Sequence, residues 1–248
     1  MEVQLLCLPY AGGSCYAYNR WAKYLDKKVK QLPMEIAGRG RRIREPYYST
    51  VEEAVTDIEA LIRPVIRNQP YILFGHSMGS ILAYELCRLL HRMQAPLPAK
   101  LIVSGSDAPM IREPDKKYHL MEQQQLIEEM LELGGLSKEI ASSPELMNLF
   151  LPILRADFAM LDRYGCSEPF EPLPIDLTVM YGQEDEMIKK DVRKWGELVT
   201  GKFESHVFPG GHFYLFDHER SFMPVLNNIC EIGGSHATIR KMDGKPIR

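Results

Sequence analysis

The chain has 248 residues, 45% hydrophobic and 25% charged, which is ordinary globular usage and enough length to bury a core without disulfide or metal staples. Its 30 Lys and Arg against 33 Asp and Glu leave a formal charge of −3, excluding a protein that coats nucleic acid by bulk charge. No window reaches the run of about 20 apolar residues that spans a bilayer, so neither nucleic acid nor membrane is an expected partner.

In chain order, short apolar runs alternate with amphipathic segments, the pattern of an α/β protein with a mostly parallel central sheet flanked by helices. The N-terminus carries Glu2 where a secretion signal would carry bases, and its apolar run breaks at Pro9. Val3–Leu8 reads as a strand, followed by Tyr18, Trp21 and Leu25 at helical spacing and a short apolar piece over Val29–Met34. Thr50-Val51-Glu52-Glu53 has the form of a capping box. The apolar face of that helix continues through Val55, Ile58, Ile62 and Val65, with Pro64 expected to kink or end it. Tyr71–Phe74, Leu101–Ser104, Leu177–Tyr181 and Phe203–Phe208 read as strands, Met78–Met93 as a helix, and Phe222–Ile232 as a closing helix. Between about residues 107 and 174 the alternation stops, and Leu120–Leu133 and Glu145–Tyr164 are helical. An all-helical stretch between two sheet strands is expected to be a lid insertion. The domain is therefore expected to span residues 1–232, and the polar, basic tail 233–248 to be poorly ordered.

Gly75-His76-Ser77-Met78-Gly79 fits G-x-S-x-G. It follows an apolar strand and opens a helix, which is the setting of a nucleophile elbow. A serine hydroxyl needs a base to take its proton, and elbow hydrolases supply partners in the order Ser, acid, His. Here Gly182-Gln183-Glu184-Asp185-Glu186 follows one strand and Pro209-Gly210-Gly211-His212 the next. All three groups thus fall at the carboxyl ends of strands, where open α/β sheets bind ligands. His212 would act as general base toward Ser77 and then as general acid, with Asp185 fixing its tautomer. From loop position alone, Glu184 and Glu186 compete with Asp185. Oxyanion stabilisation needs backbone N–H donors: Met78, directly after the nucleophile, and Ala11 in the early glycine loop Pro9-Tyr10-Ala11-Gly12-Gly13.

Together, Pro9–Gly13, Gly75–Gly79, Gly182 with Asp185, and Gly210-Gly211-His212 resemble the type II (external, editing) thioesterases of nonribosomal peptide and polyketide synthetases, within the α/β-hydrolase superfamily. The resemblance extends over about residues 3–232, including Leu133-Gly134-Gly135, Phe150-Leu151-Pro152 and Arg155-Ala156-Asp157. It implies an α/β-hydrolase fold with a helical lid. It also implies hydrolysis of acyl thioesters on the phosphopantetheine arm of acyl- or peptidyl-carrier protein domains, clearing stalled or misprimed groups. It favours Asp185 over Glu184 and supports Ala11 and Met78 as the oxyanion pair. Where the family commonly has proline before Gly-Arg, this chain has Ala37 in Glu35-Ile36-Ala37-Gly38-Arg39-Gly40. No cofactor or metal is expected, since the phosphopantetheine arrives with the substrate.

The insert is rich in Leu and Met, whose flexible thioethers suit a surface that repacks around varied acyl chains. Met121, Phe150, Leu154 and Phe158, with Leu126 and Leu161, are candidates to wall an acyl groove, although most insert residues are expected simply to pack on the sheet. Arg39, Arg41, Arg42 and Arg44 form a basic run that reads either as a solvated loop or as a dock for an acidic carrier protein. Lys116-Lys117 and Lys189-Lys190 are weaker candidates. His76 is expected to point away from the chemistry. His91, His119, His206, His218 and His236 show no metal spacing. The cysteines Cys7, Cys15, Cys87, Cys166 and Cys230 are odd in number and never form CxxC, so a reduced, cytoplasmic protein is expected, and a monomer. A triad alone does not separate thioesters from oxygen esters. The alternatives are a small carboxylesterase or acyltransferase of this fold, and more remotely a non-catalytic binding protein.

Overall fold

A computed structural model describes residues 2–66, 69–111, 116–165, 170–188 and 191–231. Six strands form one sheet: β1 (Val3–Leu8), β2 (Val29–Pro33), β3 (Tyr71–His76), β4 (Lys100–Ser104), β5 (Asp176–Gly182) and β6 (Phe203–Phe208). Their order is β2-β1-β3-β4-β5-β6, and every pairing is parallel. The register pairs Leu8 with Gly75, His76 with Ser104, and Gly182 with Phe208. The loops that follow β1, β3, β4, β5 and β6 therefore leave the sheet along one edge.

β1 and β3 are buried along their whole length, as a parallel sheet covered on both faces requires. Alternate side chains feed two cores. Leu6, Leu8, Leu73, Leu101 and Val103 meet α1 (Val51–Ile66), α2 (Met78–Arg92) and the insert. Leu5, Cys7, Ile72, Phe74 and Ile102 meet Tyr18, Trp21 and the closing helix.

Most expected elements are present, with local differences. The segment carrying Tyr18 and Trp21 is a 3-10 helix, Cys15–Lys23, rather than an α-helix. Its three-residue period still buries both aromatics. Leu25 falls beyond its end and packs on that core partly buried. Thr50 Oγ1 accepts the Glu53 N–H at 3.2 Å, but the Glu53 carboxylate takes the N–H of Ser49 (2.7 Å), one residue earlier than a capping box would have it. α1 ends at Ile66, within a turn of Pro64.

The insert between β4 and β5 contains α3 (Gln123–Glu132), a short α4 (Lys138–Ala141) and α5 (Pro144–Arg163), preceded by two 3-10 turns. Ser143 caps α5 by accepting the Leu146 N–H, and Pro144 opens it. The chain closes with α6 (Tyr214–Asp217) and α7 (Glu219–Cys230). The sequence pattern gave no sign of the 3-10 helix Val192–Leu198, whose fully buried Trp195 donates its indole N–H to Ser106 O at 2.9 Å. The tail 233–248, Cys166 and Lys189-Lys190 lie outside the described residues.

Cys7, Cys15, Cys87 and Cys230 are buried free thiols. Burial pushes each of them above the ordinary thiol pKa, Cys15 to about 11. Among the described residues no helix is long and apolar enough to cross a membrane.

Candidate active site

β3 ends at His76 and α2 begins at Met78. Ser77 alone makes the turn, at φ 54° and ψ −118°, a left-handed conformation that costs a non-glycine residue strain and that clusters at active sites. Neighbouring groups hold it there. The Ser77 N–H donates to Ser104 O at 2.7 Å. Ser80 Oγ donates to the carbonyls of Gly75 and Ser104 at 2.9 Å and accepts the Ser104 N–H at 3.0 Å. The flanking glycines are required by backbone approach: a Cβ on Gly75 would stand 2.0 Å from Gly79 O, and one on Gly79 would stand 2.5 Å from Leu8 O. Ser77 itself is half-buried.

His212 is buried, and its Nδ1 faces the Asp185 carboxylate at 3.0 Å to both oxygens. Asp185 is buried too, and accepts the Met187 N–H at 3.0 Å. Of the three candidate acids, Asp185 is the one that meets His212. Glu184 instead binds the Gly210 N–H through its carboxylate, bracing the histidine loop from outside, and Glu186 is exposed. Gly182 lets the two loops meet, since a Cβ there would lie 2.2 Å from Gly211 O.

The chain from Tyr10 to Gly13 forms a turn closed by Gly13 N–H on Tyr10 O (2.9 Å), with Gly12 at φ +74°, the pattern of a type II turn. Among the described residues, neither the Ala11 nor the Met78 N–H is taken up by an acceptor. The serine–histidine hydrogen bond is not closed in this structure: Ser77 Oγ has no hydrogen-bond partner among the described residues. Such bonds are often long without substrate and tighten on binding. Gly105, the residue after Ser104, links the two groups in space, because a Cβ on it would stand 3.1 Å from His212 Cε1.

Two expectations need correction. His76 does not simply point away. It is fully buried, its ring 4.8 Å from that of His212, and Nδ1 sits 2.9 Å from Ser104 Oγ, itself 2.6 Å from Tyr214 OH. Burial, and then the neighbouring His212, hold its pKa well below the ordinary imidazole value, so it is neutral near pH 7. The basic run is not one solvated face either. Arg39 is buried and grips Asp157 of α5 with both terminal nitrogens, at 2.7 and 2.6 Å. Arg42 is held by Glu45, Asp57 and Glu35 O, while Arg41 and Arg44 are exposed. Ala37, at the position of the family's proline, donates its N–H to Tyr48 OH at 3.1 Å, a bond that proline lacks the hydrogen to make.

The groove candidates separate. Phe150 and Leu154 press on the turn after β1, each 2.9 Å from where a Gly12 Cβ would be. Phe158 packs on Tyr118 at 4.6 Å, inside the insert. Met121 is a partly buried member of that packing, and its carbonyl accepts from Arg155 at 2.7 Å. Phe213, which sequence reasoning missed, lies against Tyr10 (4.8 Å between ring centroids) and against Gly134 and Gly135 of the insert. Its position next to His212 was the available signal.

The Thioesterase domain family matches residues 3–231. The chain belongs to the thioesterase family. GrsT, a gramicidin S biosynthesis protein of Aneurinibacillus migulanus, is 31% identical to this thioesterase over 226 residues, covering 91% of this chain and 88% of GrsT. The crystal structure of ClbQ from the colibactin NRPS/PKS pathway matches with a TM-score of 0.85 at 30% identity, covering 92% of this chain and 96% of ClbQ. The type II thioesterase BorB from the borrelidin biosynthetic cluster matches at 0.83 and 30%, covering 93% of each chain. The resemblance to type II thioesterases and the α/β-hydrolase fold expected from the motifs are both borne out. The thioesterase is thus a hydrolase of acyl thioesters, and ClbQ among its relatives belongs to an NRPS/PKS pathway.

Proposed function

We propose that this thioesterase hydrolyses acyl groups from the phosphopantetheine arm of carrier proteins, clearing stalled or misprimed synthetases through a Ser77–His212–Asp185 triad. The observation that carries the reading is the buried Asp185–His212 pair, 3.0 Å apart, beside a strained Ser77 on one sheet edge. With Nδ1 committed to Asp185, Nε2 is the ring atom left to take the Ser77 proton. Ser77 Oγ then attacks the thioester carbonyl, and the N–H groups of Ala11 and Met78 receive the developing oxyanion. The C–S bond breaks and the His212 imidazolium gives its proton to the departing pantetheine thiolate, which leaves as the thiol and returns His212 to its neutral form. His212 next deprotonates a water that attacks the acyl-enzyme, and returns the proton to Ser77 Oγ as the acid departs. Phe150 and Leu154, against the Ala11–Gly12 turn, are the residues of the insert best sited to meet the acyl chain.

The test compares one acyl group on carrier protein, on coenzyme A or pantetheine, and as a p-nitrophenyl ester, with Ser77→Ala as control. The carrier-bound thioester is expected to turn over fastest, and Ser77→Ala to remove turnover. Rapid ester hydrolysis without hydrolysis of the carrier-bound thioester rejects the editing role. Full activity in Ser77→Ala rejects the mechanism. Carrier docking is tested on the exposed bases alone, since Arg39 is buried against Asp157 and Arg42 is half-buried and already paired with Glu45 and Asp57. Arg41→Glu with Arg44→Glu is expected to raise KM for carrier-bound substrate only.

A further inference from the structure

We infer that the buried Arg39–Asp157 pair is a positioning clamp that fixes the oxyanion turn from the helical insert, an inference that rests on the reading of Ala11 as an oxyanion donor. The Asp157 Oδ2 atom accepts the N–H of Gly12 at 2.8 Å, and Arg39 Nη1 donates to Gly13 O at 2.9 Å. The same two side chains are joined to each other by two hydrogen bonds, and both are almost wholly buried, at 3% and 4% side-chain exposure. The pair thus holds the peptide N–H on the carboxyl side of Ala11 and the carbonyl of the turn's last residue. It leaves the Ala11 N–H itself untouched.

The direction of a turn's middle peptide is the difference between type I and type II geometry. Gly12, at φ +74°, is free to adopt either, because glycine has no Cβ to object. Something outside the turn must therefore choose, and Asp157 does so by accepting the Gly12 N–H. Arg39 adds a second anchor from its own loop, where its Nε also reaches Ala37 O at 3.4 Å. Stability alone is a poor reason for the arrangement, since well-packed apolar residues of similar volume often replace a buried ion pair without loss. The Ala11 N–H lies one peptide earlier than the one Asp157 selects and keeps its direction in either geometry, so what the clamp supplies, and apolar replacements would not, is a fixed place for the turn and for the donor it carries. A donor must stand within a few tenths of an ångström of where the oxyanion forms for its contribution to be realised.

The test uses the full chain and whichever acyl substrate the wild-type protein hydrolyses. Arg39→Met combined with Asp157→Leu removes both charges and keeps volume. It is expected to fold with a thermal midpoint near wild type, to lower kcat about ten- to a hundredfold, and to change KM by less than about threefold. Affinity for a serine-directed boronic acid should fall in parallel with kcat, whereas a non-hydrolysable amide analogue of the substrate should bind as before. Arg39→Met with Asp157→Asn returns an uncharged acceptor to the Gly12 N–H and is expected to recover most of the lost kcat. A folded apolar double variant with wild-type kcat overturns the clamp. So does a kcat loss that the Asn variant leaves unrepaired, or failure of both double variants to fold, which would make the pair structural only. Absence of Ser77-dependent turnover in the wild type would instead defeat the reading of the site, before any clamp variant is compared.

Discussion

The elbow and the helical insert are built by opposite means. At the elbow, backbone meets backbone: Gly75, Gly79 and Gly182 each stand where a Cβ would fall within 2.5 Å of a carbonyl oxygen. In the insert the apolar layer is built of side chains, Leu126, Met130, Leu154 and Met160 among them. Backbone contacts tolerate no alternative residue, whereas a packed apolar layer tolerates many of similar volume. The proposed nucleophile thereby sits in a part of the molecule with little freedom to vary, and the proposed acyl groove in a part with more.

Substitutions sharpen this contrast. Asp185→Asn should act most strongly, lowering kcat about 10⁴-fold by favouring the wrong tautomer of His212 while leaving the melting temperature nearly unchanged. That is read by steady-state kinetics beside a thermal scan. Gly75→Ala should cost about 3–5 kcal/mol in chemical denaturation, because the displaced atoms are backbone and cannot rotate away. Within the insert, Leu154→Ala should cost about 2–4 kcal/mol. The exposed Leu149→Ala (59% exposed) should stay within about 0.5 kcal/mol. Equal costs at these last two positions would break the distinction between buried and exposed insert residues.

A further effect is one of pH. His76 is held neutral in the folded protein, with its pKa depressed below the ordinary 6.5. Above about that pH neither folded nor unfolded chain binds a proton there. Below it only the unfolded chain does, so stability falls as pH falls, by at most about 1.4 kcal/mol per unit until the folded pKa is reached. His76→Asn should flatten the stability profile of the wild type below pH 6.5, measured by denaturation at a series of pH values. An unchanged slope would remove His76 from the balance.

Strands and the long helices were legible because period and composition speak for them directly: β1 begins and ends where its apolar run does, and β6 keeps the bounds expected of it, Phe203–Phe208. The order Ser77, Asp185, His212 was legible because glycines mark each turn. The partners that act at a distance were hidden. Nothing near Arg39 announces Asp157, 118 residues away, so a run of four arginines reads as one surface although one of them is interior and another is tied up in ion pairs. His76 was misread for a related reason: a side chain that leaves its own turn can still be met by His212 and Tyr214 arriving from later in the chain. The 3-10 helix Val192–Leu198 escaped because its buried residues Val192, Trp195 and Leu198 recur every three positions, and a pattern sought at 3.6 residues loses phase there.

Each cleavage of a thioester sets free a sulfhydryl, so such an enzyme works amid its own product's thiols. The four described cysteines are enclosed and held protonated by their surroundings. Exchange with a disulfide or an activated acyl group requires an accessible thiolate. Among the described residues the interior thus offers sulfur as packing material while withholding it as a nucleophile, so these thiols do not compete for the acyl groups the enzyme handles.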